Sequence, residues 1–400
     1  MGQVSVVTVR GKDQFGNPVP DGTVVTFDTS FGYFTDSLTD AIQRPTSAGS
    51  ASTGLTSTRP GTAVVRGTIG TESASVLVTF DPDRPASIQI LSVEPGLIPS
   101  CVGTAIASAE VKDRYGNPVL DGTVVVFDVI PTGDVEPIDG GRTLNGVAQA
   151  IISAGTTPTW ATVIAWPQEY RTTVSDQYGI EFQVGPPDRL EVSAEPPSLF
   201  VGGNSATIRV RVLDCGDNPV TEGTLVTFTL ASGQGSLAPP TATTVSGRAF
   251  STLTSPNETG SAVIRVTAGD RERTIVVDYI PGPPSEVVLS ADPLSIPANG
   301  VSRSTIRADV EDLHGNPVAD RTVVVFSTEM GSFDTGMSYT TFTEDGSASA
   351  VLRSSGTPGI ARVEAIAAGK RASPIWVDFF FAPPGSKVYL PIITKNARRF

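Results

Sequence analysis

Histidine occurs once in this 400-residue chain and cysteine only twice. A zinc site draws three or four ligands from such residues, so so sparse a supply excludes His/Cys-built metal centres. Nucleophile elbows, Walker loops and dinucleotide fingerprints are missing as well. Cations are scarce: 28 Lys and Arg stand against 41 Asp and Glu, for a net charge of −13. They are scattered, which argues against a nucleic-acid partner, because phosphate binding needs clustered positive charge. No run of 18 apolar residues exists, so no helix spans a membrane. Amphipathic helical stretches of useful length are absent too. What remains is a turn-rich chain with 40 Gly, 32 Pro and 39% hydrophobic residues, enough apolar material for packed β-domains.

One turn recurs four times. It reads Asp13-Gln-Phe-Gly-Asn-Pro-Val19, Asp113-Arg-Tyr-Gly-Asn-Pro-Val119, Asp214-Cys-Gly-Asp-Asn-Pro-Val220 and Asp312-Leu-His-Gly-Asn-Pro-Val318. The Asn residues are 17, 117, 218 and 316, so the spacings are 100, 101 and 98. That period is too long for a solenoid unit and fits one small domain per copy. The Asp side chain can bond backbone two residues on, and Gly-Asn-Pro punctuates a tight turn. Alternating strands flank it: Ile208, Val210 and Val212, or Ile306, Ala308 and Val310, before the turn; Val25 and Phe27, Val125 and Phe127, Val226 and Phe228, Val324 and Phe326 after it. Period-two patterning rich in Val and Thr predicts half-buried strands, and short strands between such turns predict antiparallel sandwiches. His314 falls inside a copy of the turn and reads as a solvated turn residue.

The sequence resembles the bacterial Ig-like domains of the invasin and intimin type. The resemblance rests on Asp-x-x-Gly-Asn-Pro-Val followed by Val-x-Phe, and on Thr343–Leu352 with Gly359-Ile-Ala-Arg-Val363 in copy four. Copy three departs from it at Cys215 and Asp217, and copy two has a looser second half. The resemblance implies an all-β chain of four tandem Ig-like sandwiches in a linear row, outside the cell, with no catalytic activity and no cofactor. The expected domains are 1–83, 84–185, 186–282 and 283–382, with a tail at 383–400. Surface localisation rests on the resemblance, since the chain opens without a visible signal peptide. Under the same fold, the loops holding Cys101 and Cys215 lie at facing poles of domains two and three. They are a candidate inter-domain disulfide; two free thiols are the alternative, because sequence does not supply the Cα separation a bridge requires.

The ends carry the second expectation. Each internal junction places proline and then an alternating apolar strand: Arg84-Pro-Ala-Ser-Ile88-Gln-Ile90, Pro186-Pro-Asp-Arg-Leu190-Glu-Val192 and Pro283-Pro-Ser-Glu-Val287-Val-Leu289. The fourth, Pro383-Pro-Gly-Ser-Lys-Val388-Tyr-Leu390, has the same grammar. The segment Val388, Tyr389, Leu390, Pro391, Ile392, Ile393 therefore reads as an opening strand, although Pro391 must face an edge. At the other end Val4–Val9 aligns with the second strand of the other copies, so domain one lacks its opening strand. The expectation is head-to-tail self-association into a filament: the tail strand enters an acceptor groove lined by Val4, Val7, Val9, Val25 and Phe27 of the next copy, as donor-strand complementation. Two alternatives stay open, a segment cut from a longer surface stalk and a recognition tag at the tail. Other cell-surface components are further candidate partners. A calcium site at Asp81, Asp83 and Asp188 follows no known loop spacing, and Asn257-Glu-Thr259 is a formal glycosylation sequon.

Overall fold

The computed structural model describes residues 2–381. Its strands form eight sheets, two for each of four sandwiches. The strands run from Ser5 to Phe80, Pro85 to Gln183, Arg189 to Ile280 and Glu286 to Phe380. Ile138–Gly141, a single 3-10 turn, is the only helical segment among the described residues. The residues fall into two compact units, Met1–Arg189 with Leu213–Val220, and the remainder.

The fourth sandwich shows the plan. Its opening strand Glu286–Asp292 pairs antiparallel with Arg303–Glu311, which pairs antiparallel with Ser347–Arg353. The chain then crosses to the other sheet at Pro293, after a cis bond. There Ser295–Pro297 runs parallel to the closing strand Ile375–Phe380. Gly359–Ala367, Val323–Thr328 and Ser338–Phe342 complete that second sheet. Ile306, Ala308 and Val310 point inward and are buried, while their neighbours Thr305 and Arg307 are exposed. This is the alternation a strand with one covered face requires. The core between the sheets is apolar and includes Phe326, Phe379, Val363 and Leu352.

The second and third sandwiches repeat the plan. Pro85–Glu94 lies against Thr104–Asp113, and Arg189–Glu195 against Ser205–Leu213. Leu97–Pro99 and Ser198–Phe200 run parallel to the closing strands Asp176–Gln183 and Arg271–Ile280. Copy two is looser in sequence because residues 168–175 form an extended turn before its closing strand. Tyr170 and Val174 organise that turn through backbone bonds, and Arg171 lies over the Trp166 ring at 4.2 Å.

The first sandwich lacks part of the plan. Ser5–Arg10 pairs with Ser50–Thr56 on one side. Among the described residues no strand pairs with its other edge, where the other three place their opening strand. The closing strand Glu72–Phe80 pairs with Gly61–Ile69 and likewise has no parallel neighbour among the described residues. The core still forms, around Val7, Val25, Phe27, Phe34, Leu55 and Val65.

Candidate functional site

The recurring turn is built identically in all four copies. Asp Oδ1 accepts the backbone N–H groups two and four residues on; in copy one these are Phe15 and Asn17, each at 2.9 Å. The Asn Nδ2 folds back on the same carboxylate, 3.1 Å from Asp13 Oδ2 in copy one. The fourth turn position takes a left-handed φ, which glycine adopts freely in three copies. Copy three has Asp217 there at φ 63°; aspartate tolerates this region, and its carboxylate bonds the Arg189 guanidinium at 2.8 Å.

In copies two, three and four the turn also clasps the sandwich before it. Asp113 Oδ2 accepts the Asp83 N–H at 3.1 Å, Asp214 Oδ2 the Gly185 N–H at 3.0 Å, and Asp312 Oδ2 the Gly282 N–H at 2.9 Å. Each of those donors lies in the linker entering the domain. The Asn side chain reaches a loop of the preceding sandwich: Asn117 donates to the Thr58 carbonyl at 2.9 Å, Asn218 to Thr156 at 2.8 Å, and Asn316 to Asn257 at 2.8 Å. The three carboxylates are consequently buried, at 3%, 1% and 3% exposure. Burial alone would raise the Asp113 and Asp312 pKa. In both it is outweighed by bonds from the paired Asn side chain and from backbone N–H groups including the linker's, so both carboxyls sit below the ordinary aspartate value. A carboxylate accepting several N–H bonds is stabilised in its charged form.

Each clasp has its own reinforcement. Beside Asp113, Arg114 bonds Asp83 at 2.9 Å and stacks on Tyr115 at 4.8 Å. Beside Asp214, Cys215 is bonded to Cys101 with a Cα separation of 6.3 Å, within the span of an ordinary bridge. Beside Asp312, His314 packs its ring on Gly202, and Asn316 Oδ1 accepts the Thr259 N–H at 3.3 Å. Gly202 and Cys101 hold the same place: their N–H groups bond the carbonyls of Pro256 and Gly155, one residue before the clasped carbonyls of Asn257 and Thr156.

The first copy of the turn is exposed. Asp13 and Asn17 make the internal bonds but have no linker or loop against them among the described residues. Its Asp13 carboxyl is also held below the ordinary value, chiefly by the Asn17 side chain. Above it runs an open seam. Val9, Gly11, Val19, Ile69 and Val78 are half-buried. Their counterparts in the fourth sandwich, Ala308, Val310, Val318, Ala367 and Val377, are buried, as are those in the second and third. Val9, Val19 and Ile69 line a cleft along the seam.

The expected acceptor residues divide accordingly. Val9 lies in the seam. Val7, Val25 and Phe27 belong to the closed core, where Phe34 covers Phe27 edge-on at 6.2 Å. Val4 faces the other way with Val6, at 51% and 70% exposure, because the inward parity of the strand is Ser5, Val7, Val9. Val19, Ile69 and Val78 take their place in the seam. The expected donor segment Val388–Ile393 lies outside the described residues. Among the described residues no group of three or more His, Cys, Asp or Glu could hold a metal ion. Asn257 gives its carbonyl to a clasp.

Residues 284–380 match the family model described as invasin, domain 3. A curated relative, the inverse autotransporter adhesin YeeJ of Escherichia coli (strain K12), is 26% identical over 231 residues, covering 54% of this chain and 9% of its own length. The chain thus spans a small fraction of that relative. Among solved structures, the Escherichia coli adhesin FdeC aligns at 18% identity with a TM-score of 0.40, over 75% of this chain and 100% of its own. Invasin, described as a bacterial integrin-binding protein, aligns at 19% identity with a TM-score of 0.39, over 95% of this chain and 76% of its own.

Proposed function

We propose that this tandem array of bacterial Ig-like domains of the invasin and intimin type is a stalk segment of an adhesin at the bacterial surface, structural and not enzymatic. The domain bounds proposed with it are 1–83, 84–185, 186–282 and 283–382. The observation that carries this reading is the threefold recurrence of the same clasp. A stalk must transmit force and hold its binding end away from the cell. Successive domains fixed by linker and loop bonds, one joint also by a disulfide, suit that task better than free Pro-rich linkers, which are only semi-rigid. The adhesin relative and the invasin domain match support the surface setting.

Pulling single molecules by their ends tests the reading. Separate unfolding peaks are expected for the closed sandwiches. With the Cys101–Cys215 bond intact, the chain between the two cysteines, which stand 114 positions apart, stays short. Reduction should release roughly 400 Å of further extension at about 3.4 Å per residue. Smooth extension at low force, without peaks, would remove the stalk reading.

A second reading is favoured by the open seam of the first sandwich. Here the chain is the subunit of an extracellular filament, and Val388–Ile393 of one copy supplies the opening strand of the next. Burial of Val388, Leu390 and Ile392 would contribute ~1.5–3 kcal/mol each, and the contact is heterologous, so it can propagate. Electron microscopy of the full chain beside one ending at Pro384 separates the two readings. Filaments from the first alone support donation; monodisperse particles from both leave the stalk.

A further inference from the structure

We propose that the Asp13–Asn17 turn, with the seam above it, is a docking site for the C-terminal pole of the fourth sandwich of a second copy of this chain. The inference deepens the head-to-tail reading and rests on it, but places recognition in a different element from the tail strand.

Three filled examples define what such a site takes: a linker N–H for the Asp carboxylate and a loop carbonyl for the Asn amide. The first copy has the same internal bonds and is therefore preformed, yet its Asp and Asn are exposed. An Asx turn alone needs the Asp; it does not need the Asn, whose amide reaches the preceding loop in copies two, three and four.

The complementary pole is present on the fourth sandwich. The carbonyls of Gly155, Pro256 and Ser355 each accept an N–H from their own domain, from Cys101, Gly202 and Gly300. The next carbonyl in the second and third sandwiches, Thr156 or Asn257, is the one clasped. In the fourth that position is Gly356, which is exposed. The linker donors Asp83, Gly185 and Gly282 stand three residues beyond Phe80, Phe182 and Tyr279; the same count from Phe379 reaches Ala382, where the 19 remaining residues of the chain begin. Among the described residues, then, the first clasp is unfilled and the Gly356 carbonyl is unclasped, and the two are of matching chemistry. Because the two differ, each copy can engage two others.

Two measurements on the full chain test this. Sedimentation velocity over a concentration series should show association that weakens about tenfold or more with Asp13→Ala or Asn17→Ala and is unchanged with Glu136→Ala, an exposed site on the second sandwich. The second borrows the geometry of the native bridge. Gln14 holds the place of Cys215, Phe15 that of Gly216, and Gly300 that of Cys101. A chain carrying Gln14→Cys, Phe15→Gly and Gly300→Cys should form an oxidised ladder of multimers, with bonds mapping between positions 14 and 300. Monomers in both measurements overturn the proposal. Association that ignores Asp13 and Asn17 but is abolished by ending the chain at Pro384 overturns the docking site while leaving strand donation standing.

Discussion

The first and fourth sandwiches share a turn, a strand order and an inward-facing apolar set, and they differ in one segment. In the fourth, Glu286–Pro297 lies along both sheets: its first half pairs with Arg303–Glu311 and its second half runs parallel to the closing strand. In the first, nothing among the described residues occupies either edge. The consequence is local. Phe27 and Leu55 are as deeply buried as Phe326 and Leu352, whereas Val9, Val19, Ile69 and Val78 are opened. The opening segment therefore does not create the core. It seals the seam between two sheets that already face one another, and it brings in the linker that the next clasp bonds.

The strongest way to break this comparison is to supply the missing piece. Residues 284–297 placed ahead of Gly2 should seal the seam with side chains equivalent to Val287, Leu289 and Ile296. Each is worth ~1.5–3 kcal/mol when fully buried, less the cost of ordering the strand. A net gain of about 3 kcal/mol corresponds to a rise on the order of 10 °C or more in the midpoint of a domain this size. Hydrogen exchange at Ser5–Arg10 and Glu72–Phe80 would report it. No change in either strand would mean that the seam is closed by something other than an opening segment.

A smaller effect comes from a matched pair of truncations. Val377 and Val78 occupy the same position in the closing strand, the first fully buried and the second half-exposed. Val377→Ala removes buried methyl groups from a packed site and should cost about 2 kcal/mol. Val78→Ala should cost under about 1 kcal/mol, measured as the unfolding of the first domain. Equal losses would show that the first sandwich is as tightly sealed as the fourth.

How much of this was legible in the sequence follows from what periodicity measures. Alternation assigned the strands and their inner faces, and the four turns assigned the repeat. Alternation cannot say which inner residues the chain covers with itself. Val-x-Phe places Phe27 on the inner face; Phe34, from a two-residue strand that no repeat marks, closes over it. Val4 stands three residues before Val7, out of step with the strand's period of two, and is 51% exposed. As sequence, the turns are punctuation. Their second role, clasping the preceding domain, had one sequence signal: Asn precedes Pro in all four copies, even where the adjacent Gly gives way to Asp217. Its partners are backbone groups, Thr58, Thr156 and Asn257, and backbone acceptors leave no residue type to read.

The clasp itself is a third place where the two sandwiches can be set against each other. Asp312→Ala leaves the Gly282, His314 and Asn316 N–H groups without their acceptor, at a cost of about 1–3 kcal/mol for the buried donors. Asp13→Ala should cost the isolated chain less, since its turn is exposed to water. Acid should act in the same order. The Asp312 carboxyl is held below its ordinary value of 3.8 in the folded protein, so the folded state binds its proton less readily than the unfolded chain does. The stability this supplies is fully present above that ordinary value and is lost as the pH falls through the folded one. Asp13 is depressed by the same Asn contact, but its protonation loosens only a turn, whereas protonation of Asp312 also releases the Gly282 linker. Between pH 5 and 2, the exchange protection of the Gly282 N–H should therefore fall more steeply than that of the Phe15 N–H. Asp312→Asn should flatten that fall at Gly282, because the amide keeps an acceptor oxygen without a titrating proton. A fall at Gly282 that persists in Asp312→Asn would assign the acid sensitivity of the joint to another group.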